Sequence, residues 1–321
     1  MLEDLKNTIR HSAVYGLSRV ASKALSFIFI PLYTGILSVE SFANINLLET
    51  FWQYLFTICL FGFETTIITH CSTETEEGKK KMMFNFLTIL LFNCGIFLLL
   101  GLTLKQNFSD IILQDGSYGN VIFYCFLICI FESLITIPLA IARLKNKPGL
   151  YSIIALSSLF INFFLQIYFV YFQRKEFDFV FIAKFLGPGI VLVFCIPLII
   201  SNVKINYNKA KVKEILHFSF FWTLYAILSM FLNTIDRYIL AEYVSKEQIA
   251  IYTLGYSVGS LTNFLVIMPF SLAYTGIFYK KINEPNAERY FTKIATYLFF
   301  SIIFVSLLAS LFIPEAIKIF A

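Results

Sequence analysis

The chain has 321 residues, 58% of them hydrophobic and 14% charged, whereas soluble chains average about 45–50% and about 25%. Apolar stretches of about 20 residues recur from one end to the other, which excludes a single water-soluble core and requires membrane helices. The net charge of +5 is carried by the connections between those stretches and gives no reason to expect a nucleic-acid partner.

At the N-terminus, "MLEDLKNTIRH" mixes charges and runs into a long apolar helix without a small-residue cleavage site, so it does not read as a cleaved signal. Nine spans are expected, at 12–36, 43–70, 82–104, 120–142, 150–172, 179–201, 215–243, 249–279 and 291–312. Prolines 31, 138, 188, 197 and 269 interrupt four of them, as kinks or as hinges. The connections on one side hold fifteen Lys and Arg: Lys6, Arg10, Lys79 to Lys81, Arg143, Lys145, Lys147, Lys204, Lys209, Lys211, Lys213, Lys280, Lys281 and Arg289. The other side holds five: Lys105, Arg174, Lys175, Lys246 and Lys318. The positive-inside rule therefore predicts a cytoplasmic N-terminus. The longest outer loop is expected at 105–119, with only Asp110 and Asp115 as carboxylates, which is thin support for an enzyme.

Polar residues inside the spans are the candidate functional groups. In the first span Arg19 and Lys23 lie four apart on one face, either reaching back to the headgroups or facing an interior cavity. In the second, Asn46, Glu49, Gln53, Thr57 and Glu64 are spaced as one helical stripe. A stripe of this kind does not belong in lipid, where a central charge costs at least ~2.5 kcal/mol. Glu132 stands in the middle of the fourth span with Thr136 one turn away, too deep to reach the headgroups. Lys184, five residues into its span, is expected to snorkel to the surface. Asp236 and Arg237 in "FLNTIDRYIL" sit side by side either at the outer membrane edge or along an outward-opening cavity. The eighth span carries Thr253, Ser257, Ser260 and Asn263 on one face. The six cysteines form no CxxC and read as lipid- or core-facing, and the scattered histidines give no metal motif, so no cofactor is expected.

The chain also aligns with itself at an offset of 207 residues: Ser38, Glu40, Ala43 and Leu47 lie over Ser245, Glu247, Ala250 and Leu254. Each Ser-x-Glu turn suits a helix start, because the serine can cap it and the glutamate faces its positive end. Six spans separate the copies, so the repeats run parallel, with a pseudo-two-fold axis along the membrane normal. The expected fold is all-α and polytopic, with a six-helix lobe at 1–201, a cytoplasmic linker at 202–213, and the first three helices of a second lobe at 214–321. A complete second copy would continue beyond residue 321, so the chain is expected to be either a fragment or a product with half of its second lobe.

The stretches "NTIRHSAVYGLSRVASKALSFIFIPLYTGILS" and "FLNTIDRYILAEYVSKEQIAIYTLGYSVGS", with Asp236, Arg237 and Tyr252 in the second, resemble the polysaccharide flippases of the Wzx type. These belong to the MOP superfamily, with the MATE exporters and the lipid II flippases. The resemblance implies two six-helix lobes, opening alternately to each side, that move a polyisoprenyl-diphosphate-linked oligosaccharide outward across the bacterial cytoplasmic membrane. On the polar residues read above, substrate contacts are expected at Arg19, Lys23, Gln53, Arg237, Ser260 and Asn263, and ion coupling at Glu49, Glu64, Glu132 and Asp236. Implied partners are the lipid-linked oligosaccharide, membrane lipids and other polysaccharide-assembly membrane proteins. The rival expectations are a MATE-like exporter of cationic small molecules, a membrane glycosyltransferase or polymerase, and an inserted but inactive remnant.

Overall fold

The computed structural model describes Ile36, residues 39–172, 177–233 and 235–241, scattered positions between 243 and 286, and the helix 287–320. Its helices are α1 (Val39–Leu60), α2 (Phe63–Cys71), α3 (Glu76–Leu113), α4 (Gly119–Leu144), α5 (Pro148–Gln166), α6 (Asp178–Ser201), α7 (Lys209–Leu232), α8 (Ile235–Ala241) and α9 (Ala287–Phe320). No strand occurs among the described residues, and seven helical segments are long and apolar enough to cross a membrane. The chain is an all-α polytopic membrane protein. The helices from α1 to the body of α7 belong to one compact unit, and residues from Leu228 onward belong to another.

In the first unit α4 is the hub. Its sequence is predominantly apolar, which suits a helix surrounded by others, and it packs against α1, α3, α5 and α6. Ile122, Cys125, Phe126, Ile128, Cys129 and Ile137 are all buried along it. Lipid tails are as apolar as leucine, so helix association here depends on close packing. Aromatic rings supply part of it: Phe63 meets Phe86 edge-on, with centroids 5.5 Å apart. Small residues supply the rest. A Cβ at Gly187 would stand 2.9 Å from the Ser158 carbonyl oxygen, so α5 and α6 cross almost backbone to backbone.

Three expectations change. The second span is two helices, broken at Phe61 and Gly62, both with positive φ (51° and 66°). Gly62 is required twice over: its φ is left-handed, and a Cβ would stand 2.8 Å from both the Ser219 carbonyl oxygen and Trp222 Cβ of α7. The hydroxyl of Ser219 then donates to that of Thr66 at 3.0 Å, fixing α7 on α2. The expected outer loop at 105–119 is mostly helix. The α3 helix runs for 38 residues, roughly 57 Å at 1.5 Å per residue, and leaves only the turn around Asp115 to Tyr118. It starts where expected from its chemistry, with the Thr75 hydroxyl accepting from the Gly78 N–H and Glu76 and Glu77 in the first turn. The seventh span ends at Leu232 and resumes at Ile235, because Asn233 is a poor helix former whose side-chain oxygen accepts from the Tyr256 hydroxyl at 3.1 Å.

Residues 203–208, within the expected linker, are strapped to α3. The Lys204 N–H donates to the Lys80 carbonyl at 3.0 Å. Buried Asn85 donates to the Asn206 carbonyl at 3.1 Å and accepts from the Asn208 N–H at 3.0 Å.

Candidate functional site

Two residues 135 positions apart meet inside the first unit: the Lys184 ammonium of α6 donates to Glu49 Oε1 of α1. Lys184 is 13% exposed and Glu49 35%. The ammonium also lies 5.7 Å from the centroid of the Trp52 ring and 5.5 Å from that of Phe181, so it is held by one carboxylate and by π faces. Lys184 therefore turns inward and does not snorkel. A carboxylate one turn from an aromatic gives it a better resting place than the headgroups.

Glu132 approaches the same ammonium from α4, within electrostatic range. Among the described residues its carboxylate has neither a hydrogen bond nor an ion pair. Thr136, a neighbour in sequence, gives its hydroxyl to the backbone carbonyls of Glu132 and Ser133 instead. The Trp52 indole N–H and the Ser133 hydroxyl are buried with no partner. The cluster thus holds two carboxylates, one cation and, in the Trp52 indole, one unused polar group. Cys125 and Cys129 lie close by, buried and unpaired.

Glu64 is separated from this cluster by the break at Gly62. It pairs instead with Arg143 at 3.5 Å, and Arg143 is only 10% exposed. An arginine read as a loop charge is therefore a helix-end partner for a carboxylate read as part of the stripe. The stripe itself shortens accordingly. Gln53 is exposed on α1, its carbonyl accepting from Thr57 at 2.9 Å.

In the second unit Tyr252 donates its hydroxyl to Asp236 Oδ2 at 2.5 Å, joining two residues of the motif. Asn263 is exposed at the start of a π-helical turn, Asn263–Ile267, and the adjacent Thr262 hydroxyl lies 3.1 Å from that of Ser306. Arg19, Lys23 and Ser260, and the side chains of Asn46 and Arg237, lie outside the described residues. Sequence reading missed the roles of Lys184 and Arg143. A signal was present: carboxylates deep in spans need cations, and Lys184 is one of few inside another span.

Residues 8–278 match the family model described as polysaccharide biosynthesis protein. The chain belongs to that family. Its members are Wzx-like flippases of the MOP superfamily. The chain is also similar in fold to a MATE transporter in complex with MaD3S, with a TM-score of 0.76 and 17% identity over 98% of this chain and 75% of that one. An outward-facing multidrug resistance MATE transporter gives a TM-score of 0.72 and 14% identity over 96% and 74%. A MOP transporter from Pyrococcus furiosus, described as having a binding pocket of reverse polarity, gives 0.69 and 16% over 98% and 72%. None of the curated proteins matches the chain. A membrane transporter or flippase is the function that family and fold support together.

Proposed function

We propose that the chain moves a polyisoprenyl-diphosphate-linked oligosaccharide from the cytoplasmic to the outer leaflet of the bacterial cytoplasmic membrane, for assembly of a cell-surface polysaccharide such as O-antigen or capsule. The carrying observation is the Glu49–Lys184–Glu132 cluster among the helices of a polysaccharide-family member. A glycan headgroup cannot cross hydrocarbon bare, because its hydroxyls would lose their hydrogen bonds. Polar groups inside a helical lobe shelter it while the lipid tail stays in the bilayer.

In this reading Glu132 takes up a proton or cation, and Lys184 shifts its charge balance between Glu49 and Glu132. A charge carried across the membrane contributes about 2.3 kcal/mol per 100 mV. Glu64 and Asp236 are further coupling candidates. Arg19 and Lys23 hold the diphosphate, and Gln53, Arg237, Ser260 and Asn263 meet sugar or phosphate. The N-terminus is cytoplasmic, and other polysaccharide-assembly membrane proteins supply and use the cargo. No reaction is assigned to the chain itself.

A second reading, a cation-coupled exporter of small molecules, is favoured by the likeness to MATE structures. Reconstitution into vesicles with a fluorescently tagged polyisoprenyl-diphosphate oligosaccharide separates the two, using a membrane-impermeant quencher. Expected is time-dependent loss of quencher protection, slowed about tenfold or more in Glu132→Gln and Lys184→Ala, a barrier increase of at least about 1.4 kcal/mol. No lipid movement together with export of a cationic dye would instead establish the exporter. Full lipid movement in both variants would remove the cluster from the mechanism.

A further inference from the structure

A second charged feature lies apart from the cluster, where α3 begins and α4 and α6 end. There Lys79, Lys80, Lys145, Glu76 and Asn202 rim a shallow crevice whose floor includes Met83, Ile141 and Leu144. Its space, including open solvent, is about 270 Å³. The neighbouring carboxylates are already engaged. Glu76 holds Lys79 at 2.6 Å, while Glu77 holds Lys81 at 3.0 Å and Lys204 at 2.7 Å. Among the described residues, Lys80 and Lys145 have no ion-pair or hydrogen-bond partner for their ammonium groups. They come from two different helices and face one apolar floor.

We propose that this crevice binds the phosphate headgroup of an anionic phospholipid, with the first acyl carbons lying over Met83, Ile141 and Leu144. The chemistry calls for an amphiphile. Two ammonium groups that outnumber the one lining carboxylate, Glu76, and stand in no direct ion pair with it suit a phosphodiester, and an apolar floor at the end of three membrane helices suits the start of a lipid tail. A free anion would use the rim and leave the floor wet. The strap of residues 203–208 supports the site indirectly: it brings Lys204 to Glu77 and so keeps that carboxylate from neutralising Lys80. The inference does not depend on which cargo the protein carries.

Native mass spectrometry of the full chain released from nanodiscs tests it, with phosphatidylglycerol and phosphatidylcholine as competing lipids. Expected is one tightly retained phosphatidylglycerol per chain and a clear preference over phosphatidylcholine. In the double variant Lys80→Gln/Lys145→Gln the preference falls about thirtyfold, the effect of losing two lysine–phosphate attractions. Glu76→Gln, which releases Lys79 from its carboxylate, shifts retention the other way and tightens it. Opposite signs in two variants at the same rim cannot come from misfolding. Equal retention of both lipids by the native chain, or no change in either variant, would overturn the proposal. Displacement of the lipid by millimolar inorganic phosphate would also overturn it, and would make the crevice a site for free anions.

Discussion

Two kinds of carboxylate contact, one in each unit, differ in what holds them. In the first unit, Glu49 and Glu64 find cations on helices far along the chain, Lys184 and Arg143. In the second, one of the contacts of Asp236 is the neutral hydroxyl of Tyr252, only 16 residues away. An ion pair between distant helices ties the fold of a lobe to the protonation of its carboxylates. A hydroxyl–carboxylate contact fixes a local geometry and leaves the net charge of the site unchanged. The first arrangement can therefore transmit a charge event to helix packing, and the Tyr252 hydroxyl positions a side chain.

The largest effect that would sharpen this contrast is expected from Lys184→Ala. It leaves Glu49 without its cation and Glu132 without its neighbour. The cost is about 3 kcal/mol, between the ~1 kcal/mol of an exposed pair and the ~3–5 kcal/mol of a fully buried one. Thermal unfolding in detergent reads it as a clear fall in midpoint. Combining the change with Glu49→Gln removes the orphaned carboxylate and should recover most of the loss. Additive losses in the double variant would show that the pair is not coupled, and the comparison between the units would fail.

Next comes Asn85→Ala, which cuts the strap within the first unit. Asn85 is 2% exposed and serves both the Asn206 carbonyl and the Asn208 N–H. Leaving both half-satisfied costs about 2 kcal/mol. Hydrogen exchange at residues 204–208 should accelerate while that of α4 stays slow. Acceleration throughout α4 would mean that the strap supports the whole unit rather than one segment.

How much of this was legible beforehand follows from what each feature depends on. The spans within the described residues were legible because each rests on a long apolar run, while the expected spans at 12–36 and 249–279 lie largely outside those residues. Glu132 was legible because a carboxylate in such a run has no local reason to be there. The break at Gly62 was not. A glycine in a membrane span is ordinary, and what forces this one into the left-handed region is the approach of Trp222 and Ser219 from a distant helix. Lys184 was misread for the same reason: its surroundings in sequence suit a snorkeling lysine, and its partner is on α1. The Asp236–Tyr252 contact was the easier kind, since the family motif already names both residues.

The smallest expected effect is Tyr252→Phe. The ring of Tyr252 is exposed and Asp236 is partly so, and water can replace a lost hydroxyl at such a site. The stability cost is therefore about 0.5–1 kcal/mol, below the ~1.5–3 kcal/mol of a hydrogen bond to a charged group, because water substitutes. Its value lies in what it leaves alone. If the contact only positions Asp236, unfolding shifts slightly and transport driven by a pH gradient keeps its pH profile while slowing. A moved pH profile would mean that the hydroxyl tunes the proton affinity of Asp236. The second unit would then carry a charge event of its own, and the division of labour between the units would not hold.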